Sequence, residues 1–356
     1  MGQMTSHERI LRMFEHREAD RIAIWDRPWG YDTVLRWESE GMPKGMDYAE
    51  YFGFERMVQI QPDNSPRFEQ KKIEENDEYN TYTTAWGATA RSFKKMTSTP
   101  EYLDYRVKTP DDWRAAKERM TPTRDRIPWE QLEKNYKRWR AEGYWIQPNI
   151  WFGYDITHSY MVGMERMLMA LAEKPEWCIE MFDHELTVSL ALLDMIWDAG
   201  YHFDAVRFPD DMGYKHAQFF SVAMYRELLK PFHKRAIDWC HAKKIKAYMH
   251  SCGDIRPFIP ELVDIGLDCI NPLEVKAGMD PIALKKEYGD KLMFHGGVDA
   301  LLWNDIDRME AQVRALVPVM KKNGGFMLGT DHSIPMTAGA ADVKRIVRAA
   351  IESGTY

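Results

Sequence analysis

The chain of 356 residues lacks several things, and each lack excludes a class of protein. It has four cysteines, Cys178, Cys240, Cys252 and Cys269. They are too few and too scattered for a disulfide framework, so a reducing compartment is expected. No run approaches the about 18 consecutive apolar residues of a membrane span. The first residues carry no apolar signal-peptide core, and cytoplasmic location is the expectation. Met1-Gly2 with Ser6 matches the loose myristoylation pattern, read here as a start codon plus chance. There is no excess of basic residues: the formal net charge is −7, with both signs mixed. Nucleic acid is not expected as a partner. No linker rich in Gly, Ser or Pro divides the chain, and no repeat is visible. The Gly-rich turn of a dinucleotide-binding unit is missing near the start.

What is present is a rhythm. From Trp145 onward, short apolar runs alternate with helical patterns. The runs are expected as strands within Trp145–Phe152 and over Ala205–Phe208, Ile245–Met249, Asp268–Asn271, Lys291–Phe294 and Gly325–Leu328. Helices are expected between them, including Trp177–Ala199, Met224–Lys243, Pro281–Tyr288, Ile306–Lys322 and Ala341–Ser353. An earlier strand is expected over Arg21–Trp25, after a first helix opened by the capping box at Thr5-Ser6-His7-Glu8. Repeated β-then-α units predict a parallel sheet with helices outside, in number sufficient for a (β/α)8 TIM barrel. A doubly wound open sheet is the alternative. The whole chain is taken as one domain. Residues 41–126 read as an irregular elaboration over one end of it, with a strand or hairpin at Tyr79–Gly87.

Polar groups gather just past the strands, where barrel enzymes keep their sites. His250-Ser251-Cys252 follows one strand, and residues two apart in a strand face the same way. An imidazole and a thiolate at that spacing suit zinc; a strand-end histidine beside a buried thiol is the plain alternative. Glu274 ends the next strand, and Asp331 and His332 end the last. Each has its own structural alternative, as a loop carboxylate, a helix cap or a packed histidine. Together they make a soft-to-borderline donor set of the kind zinc takes. Asp210-Asp211 ends the strand before His250. Such a pair holds a substrate, shuttles a proton or braces the barrel mouth. Asp299 either caps a helix or orients a ligand. Among the aromatics, Trp29 and Trp151 are candidates for a pocket wall, with core packing the alternative.

These residues resemble the uroporphyrinogen decarboxylase superfamily. The matching stretches are His250-Ser251-Cys252-Gly253-Asp254-Ile255, Asn271-Pro272-Leu273-Glu274, Gly296-Gly297-Val298-Asp299 and Asp331-His332-Ser333-Ile334-Pro335. Ser159-Tyr160-Met161 also looks like the family's segment bearing a substrate-facing tyrosine. The resemblance implies a (β/α)8 barrel and one of two chemistries. True decarboxylases use no cofactor and hold a polyanionic tetrapyrrole with a basic N-terminal motif. Here that region reads Trp25-Asp26-Arg27-Pro28-Trp29-Gly30-Tyr31, with Arg27 as a candidate substrate contact. The other branch comprises zinc-dependent methyltransferases that work with corrinoids. His250 and Cys252 fit its His-x-Cys pattern, and with Glu274 they resemble the His-x-Cys-then-Glu pattern of cobalamin-independent methionine synthase on a related barrel, but where those relatives carry a late cysteine this chain has Asp331-His332.

The expected function is therefore zinc-dependent methyl transfer between a small methylated substrate and a corrinoid on a separate protein, or another acceptor. Metal ligands are expected at His250, Cys252 and Glu274, with His332 or Asp331. Proton or substrate handling is expected at Asp210, Asp211 and Tyr160. The competing expectations are a cofactor-free decarboxylase and a non-catalytic relative that binds a metabolite.

Overall fold

The computed structural model describes residues 3–356; Met1 and Gly2, with the myristoylation pattern they open, lie outside the described residues. Eight parallel strands form the core. They are β1 (Ala23–Ile24), β2 (Met57–Ile60), β3 (Trp145–Pro148), β4 (Ala205–Pro209), β5 (Lys246–His250), β6 (Cys269–Asn271), β7 (Met293–Val298) and β8 (Phe326–Thr330). β1 pairs with β8, and pairing continues in order through β7, β6 and β5 to β4. β2 pairs with β3. A parallel bridge from Asn149 to Arg207 joins the end of β3 to β4. The ring closes where Glu55 N–H donates to Ile24 C=O at 2.8 Å. Helices follow the strands in turn, so the architecture is the expected (β/α)8 barrel and not an open sheet.

The strands are buried on both faces, which is why β4 and β7 read as nearly continuous apolar runs. Their ends differ from the sequence expectation. β7 continues to Val298 through Gly296 and Gly297, although the glycines read as a loop. β2 lies inside the stretch read as irregular. It has four residues, too few for an alternating pattern to stand out, and its only fully apolar-packed member is Ile60.

The lower end of the barrel is shut by the helix Ser6–Phe14, which carries the expected capping box between Thr5 and Glu8. Ile10, Met13 and Phe14 pack on Trp145, Cys269 and Met327 from the starts of the strands. Phe14 stacks on Trp145 with ring centroids 5.2 Å apart. Arg9 ties the helix down from its other side, donating from Nε to Asp20 at 2.7 Å and from Nη1 to Glu55 at 2.8 Å.

The upper end carries the elaboration. Four antiparallel strands, Lys72–Glu75, Tyr79–Thr83, Ala88–Phe93 and Glu101–Tyr105, form a separate sheet in chain order. The sheet reaches the loops after β1 and β3. Trp29 Nε1 donates to Thr97 C=O at 3.2 Å, and Tyr102 meets Tyr160 edge-on with centroids 5.5 Å apart. Among the described residues, no helix is long and apolar enough to cross a membrane.

Candidate metal centre

β5 and its following loop build the centre. His250 is the last residue of β5 and Cys252 lies two residues on. Cys252 Sγ is 3.4 Å from His250 Nε2. The imidazole is oriented from behind: its Nδ1 lies 2.7 Å from the Oδ1 of Asn271, the last residue of β6. With Asn271 accepting, Nδ1 carries the proton and Nε2 keeps its lone pair for the cleft.

The loop after β5 turns sharply at Gly253, which has φ +81°. A Cβ there would lie 2.2 Å from the carbonyl carbon of Gly213. Only glycine fits both demands. The turn aims the Gly253 N–H at Glu274 Oε2, 2.7 Å away, so the β6 loop is pinned to the β5 loop beside Cys252. Ser251, fully buried, accepts from Met212 N–H at 3.0 Å and locks the same loop to the one after β4.

Two groups of donor atoms result, each with all atoms within 4.8 Å of one another: Asp211, His250 and Cys252, and Cys252, Glu274 and His332. Cys252 belongs to both. Four strand ends thus contribute to two groups that overlap at Cys252. The donor chemistry suits a divalent cation such as zinc. Burial pushes the Cys252 thiol well up, and the Asp211 and Glu274 carboxylates push it further. Those effects favour the neutral thiol, and a cation bound here would be what stabilises the thiolate among the carboxylates. Burial also holds His250 well below the usual imidazole range, with Arg207 adding to the effect, so the ring is in its neutral, ligating form.

The other expected residues fall in several places. Asp211 is beside the centre: its Oδ1 accepts from Cys252 N–H at 2.8 Å and lies 3.8 Å from His250 Nε2. Its carboxyl is pushed up to about 6, chiefly by burial. Asp210 is not in the cleft. It is fully buried, with Oδ2 held 2.8 Å from His233 Nε2 and Oδ1 accepting from Asp155 N–H at 2.7 Å. Asp331 is outside both donor groups. Its two oxygens accept from Val275 N–H at 3.2 Å and Ala300 N–H at 2.9 Å, which fixes the loop that presents His332. Asp299 caps the short helical turn Ala300–Asn304 through Leu301 N–H at 2.9 Å, the capping alternative of the two weighed.

Tyr160 lies in a π-helical turn over Thr157–Met161, a local irregularity of the kind found near functional sites. Its ring meets Trp151 edge-on, centroids 5.9 Å apart. Trp29 is 42% exposed and packs outward beneath the elaboration. Arg27 is exposed at the rim, where Nε donates to Ser333 Oγ at 3.2 Å.

Three residues at the site were not singled out from the sequence. Arg207 sits in β4 and is 8% exposed. A charged residue inside the apolar run Ala205–Phe208 was the available signal. Asn271 supports the histidine, and only its place at a strand end marked it. Asp155 is buried near Asp211 and raised well above the usual carboxyl range, first by burial and then by its acidic neighbours; nothing local in the sequence distinguishes it.

Comparison with known proteins agrees with the fold. A solved methyltransferase from Methanosarcina mazei has the same fold, with a TM-score of 0.66 at 15% identity, over 98% of this chain and 99% of that one. No curated protein sequence matches the chain. The family model described as uroporphyrinogen decarboxylase (URO-D) matches residues 156–353, the span that contributes every residue of both donor groups. The chain therefore belongs to the uroporphyrinogen decarboxylase family.

Proposed function

We propose that this protein is a zinc-dependent methyltransferase, moving a methyl group between a small methylated substrate and a corrinoid carried on a separate protein, or another acceptor. The observation that carries the reading is the gathering of His250, Cys252, Glu274 and His332, from three strand ends, into donor groups that share Cys252. A cofactor-free decarboxylase has no need of a thiol at that point. Zinc held there would supply a Lewis acid to the heteroatom that bears the methyl group.

The chain's own residues do the rest. Asn271 fixes the His250 ring, and the Gly253 N–H holds Glu274 beside Cys252. Asp211 takes or returns the proton of the demethylated heteroatom, being the carboxyl next to the donor atoms and not among the fully buried residues. Asp210 acts at one remove, holding the Asp155 backbone and the loop around Gly153. The corrinoid part of the reading rests on the family resemblance alone.

The test is metal analysis joined to a methyl-transfer assay. About one zinc per chain and activity abolished by chelation are expected. Metal-free protein with activity indifferent to chelators would overturn the reading. So would release of carbon dioxide from uroporphyrinogen at enzymatic rates.

A further inference from the structure

The cleft beside the metal centre holds two guanidinium groups without a matching carboxylate. The cleft opens to solvent and is lined by Trp25, Arg27, Arg207, His250, Asn271 and His332 among others. Arg207 is more than nine-tenths buried. Its Nη1 donates to the neutral amide oxygen of Asn149 at 2.8 Å, and among the described residues no carboxylate forms an ion pair with it. The Tyr248 ring lies beneath it at 5.8 Å. Arg27, at the rim, bonds only the hydroxyl of Ser333 through its side chain.

The carboxylates that line the same cleft are committed elsewhere. Asp26 accepts from Thr330 N–H at 2.9 Å, from the Thr330 hydroxyl at 2.5 Å and from the Arg27 backbone N–H at 2.8 Å. Asp331 accepts from two backbone N–H groups. Asp211 and Asp155 feel the charge of Arg207 but form no ion pair with it. A guanidinium taken out of water without a counter-charge is costly, and its planar fork matches a carboxylate. A protein keeps such a group unpaired where a ligand supplies the partner.

We infer that the substrate of this cleft is a small carboxylate-bearing compound, its acid group held between Arg207 and Arg27 and its far end directed at His250 and Cys252. This rests on the methyl-transfer reading only for what happens at that far end. Anchoring the acid at Arg207 leaves the heteroatom of a short or aromatic acid at the donor cluster, with Trp25 as an apolar wall.

Binding to the full chain is measured by calorimetry with three acids: benzoate, 4-methoxybenzoate and methoxyacetate. Each is paired with its primary amide, and inorganic phosphate is the generic anion. At least one acid is expected to bind at least tenfold tighter than its amide and than phosphate. Arg27→Gln, at an exposed position, is expected to weaken that acid about tenfold and to leave the amide unchanged. Arg207→Lys keeps a charge but loses the fork, and is expected to weaken the acid by at least as much. Equal binding of acid and amide, no binding by any acid, phosphate binding as tightly as the acids, or indifference to Arg27→Gln each overturns the inference. The measurement is made on zinc-loaded and chelator-treated protein. Acid preference without zinc uptake defeats the methyl-transfer reading alone. Zinc uptake and methyl transfer without acid preference defeat this inference alone.

Discussion

His250 offers Nε2 to Cys252 because its Nδ1 is held 2.7 Å from the side-chain oxygen of Asn271. The contact spans two neighbouring strands in register, since His250 and Asn271 are direct partners in the β5–β6 ladder. Asn271→Ala is expected to lower zinc affinity about 10- to 100-fold while the fold is kept. Competition with a chromophoric chelator reads the affinity. Unchanged affinity would show that the ring is oriented by something other than this bond.

Cys252 is shared by both donor groups, so its loss should be felt by both. Cys252→Ala is expected to purify without zinc. The thiol is only partly buried, and its removal leaves the Cys252 N–H bond to Asp211 in place. In metal-free protein the unfolding free energy should therefore change by less than about 1 kcal/mol. Zinc retained at one per chain in the variant would remove Cys252 from the ligand set.

Asp210, His233 and Tyr225 form a sealed chain: Asp210 Oδ2 to His233 Nε2 at 2.8 Å, His233 Nδ1 to Tyr225 hydroxyl at 3.1 Å, all fully buried. Asp210→Ala leaves His233 and the Asp155 N–H without an acceptor. A loss of about 3 kcal/mol or more in stability is expected from chemical denaturation. His233→Phe abandons Asp210 and should cost a similar amount. A neutral result for both would mean that water repairs the gap.

The lower end of the barrel gives a pH dependence. Burial works to raise the Asp20 carboxyl, but the Arg9 guanidinium and backbone N–H groups prevail and hold it down to about 2. The folded value lies below the unfolded one. The stabilisation is thus present above about pH 4 and is lost as the pH falls through 2. It amounts to about 2 kcal/mol. Asp20→Asn should lower stability at neutral pH and flatten the acid limb of the stability curve, read by thermal melts from pH 2 to 7. Parallel curves for the two proteins would show that Arg9 does not discriminate between them.

Much of the barrel was legible because its strands announce themselves. β4 to β8 are apolar runs between helical patterns, and Pro281–Tyr288 is a helix with the bounds and the Asp280 cap the sequence suggests. β2 was not legible, being four residues long and joined to the barrel by ladder bonds to β3 that no local pattern encodes. The antiparallel sheet was seen only at its central hairpin, since Lys72–Glu75 is fully exposed and carries no alternation. At the site, spacing alone pointed to His250 and Cys252. Glu274 and His332 needed the barrel to bring their strand ends alongside. For Asp331 and Asp210 the sequence left a chemical and a structural reading open, and the oxygens of both are taken up by backbone N–H groups and, for Asp210, a buried imidazole. Arg207 went unnoticed because an arginine within an apolar strand gives no hint of whether its head lies in the barrel or snorkels out.

The helix Ser6–Phe14 stoppers the barrel from below, and the traffic this permits is one-sided. If the protein transfers a methyl group as proposed, its small substrate and the acceptor have to use the same doorway, the upper rim at Arg27. Whichever arrives second covers the first. On the methyl-transfer reading, a one-ended barrel predicts an ordered encounter, with the bulky participant last.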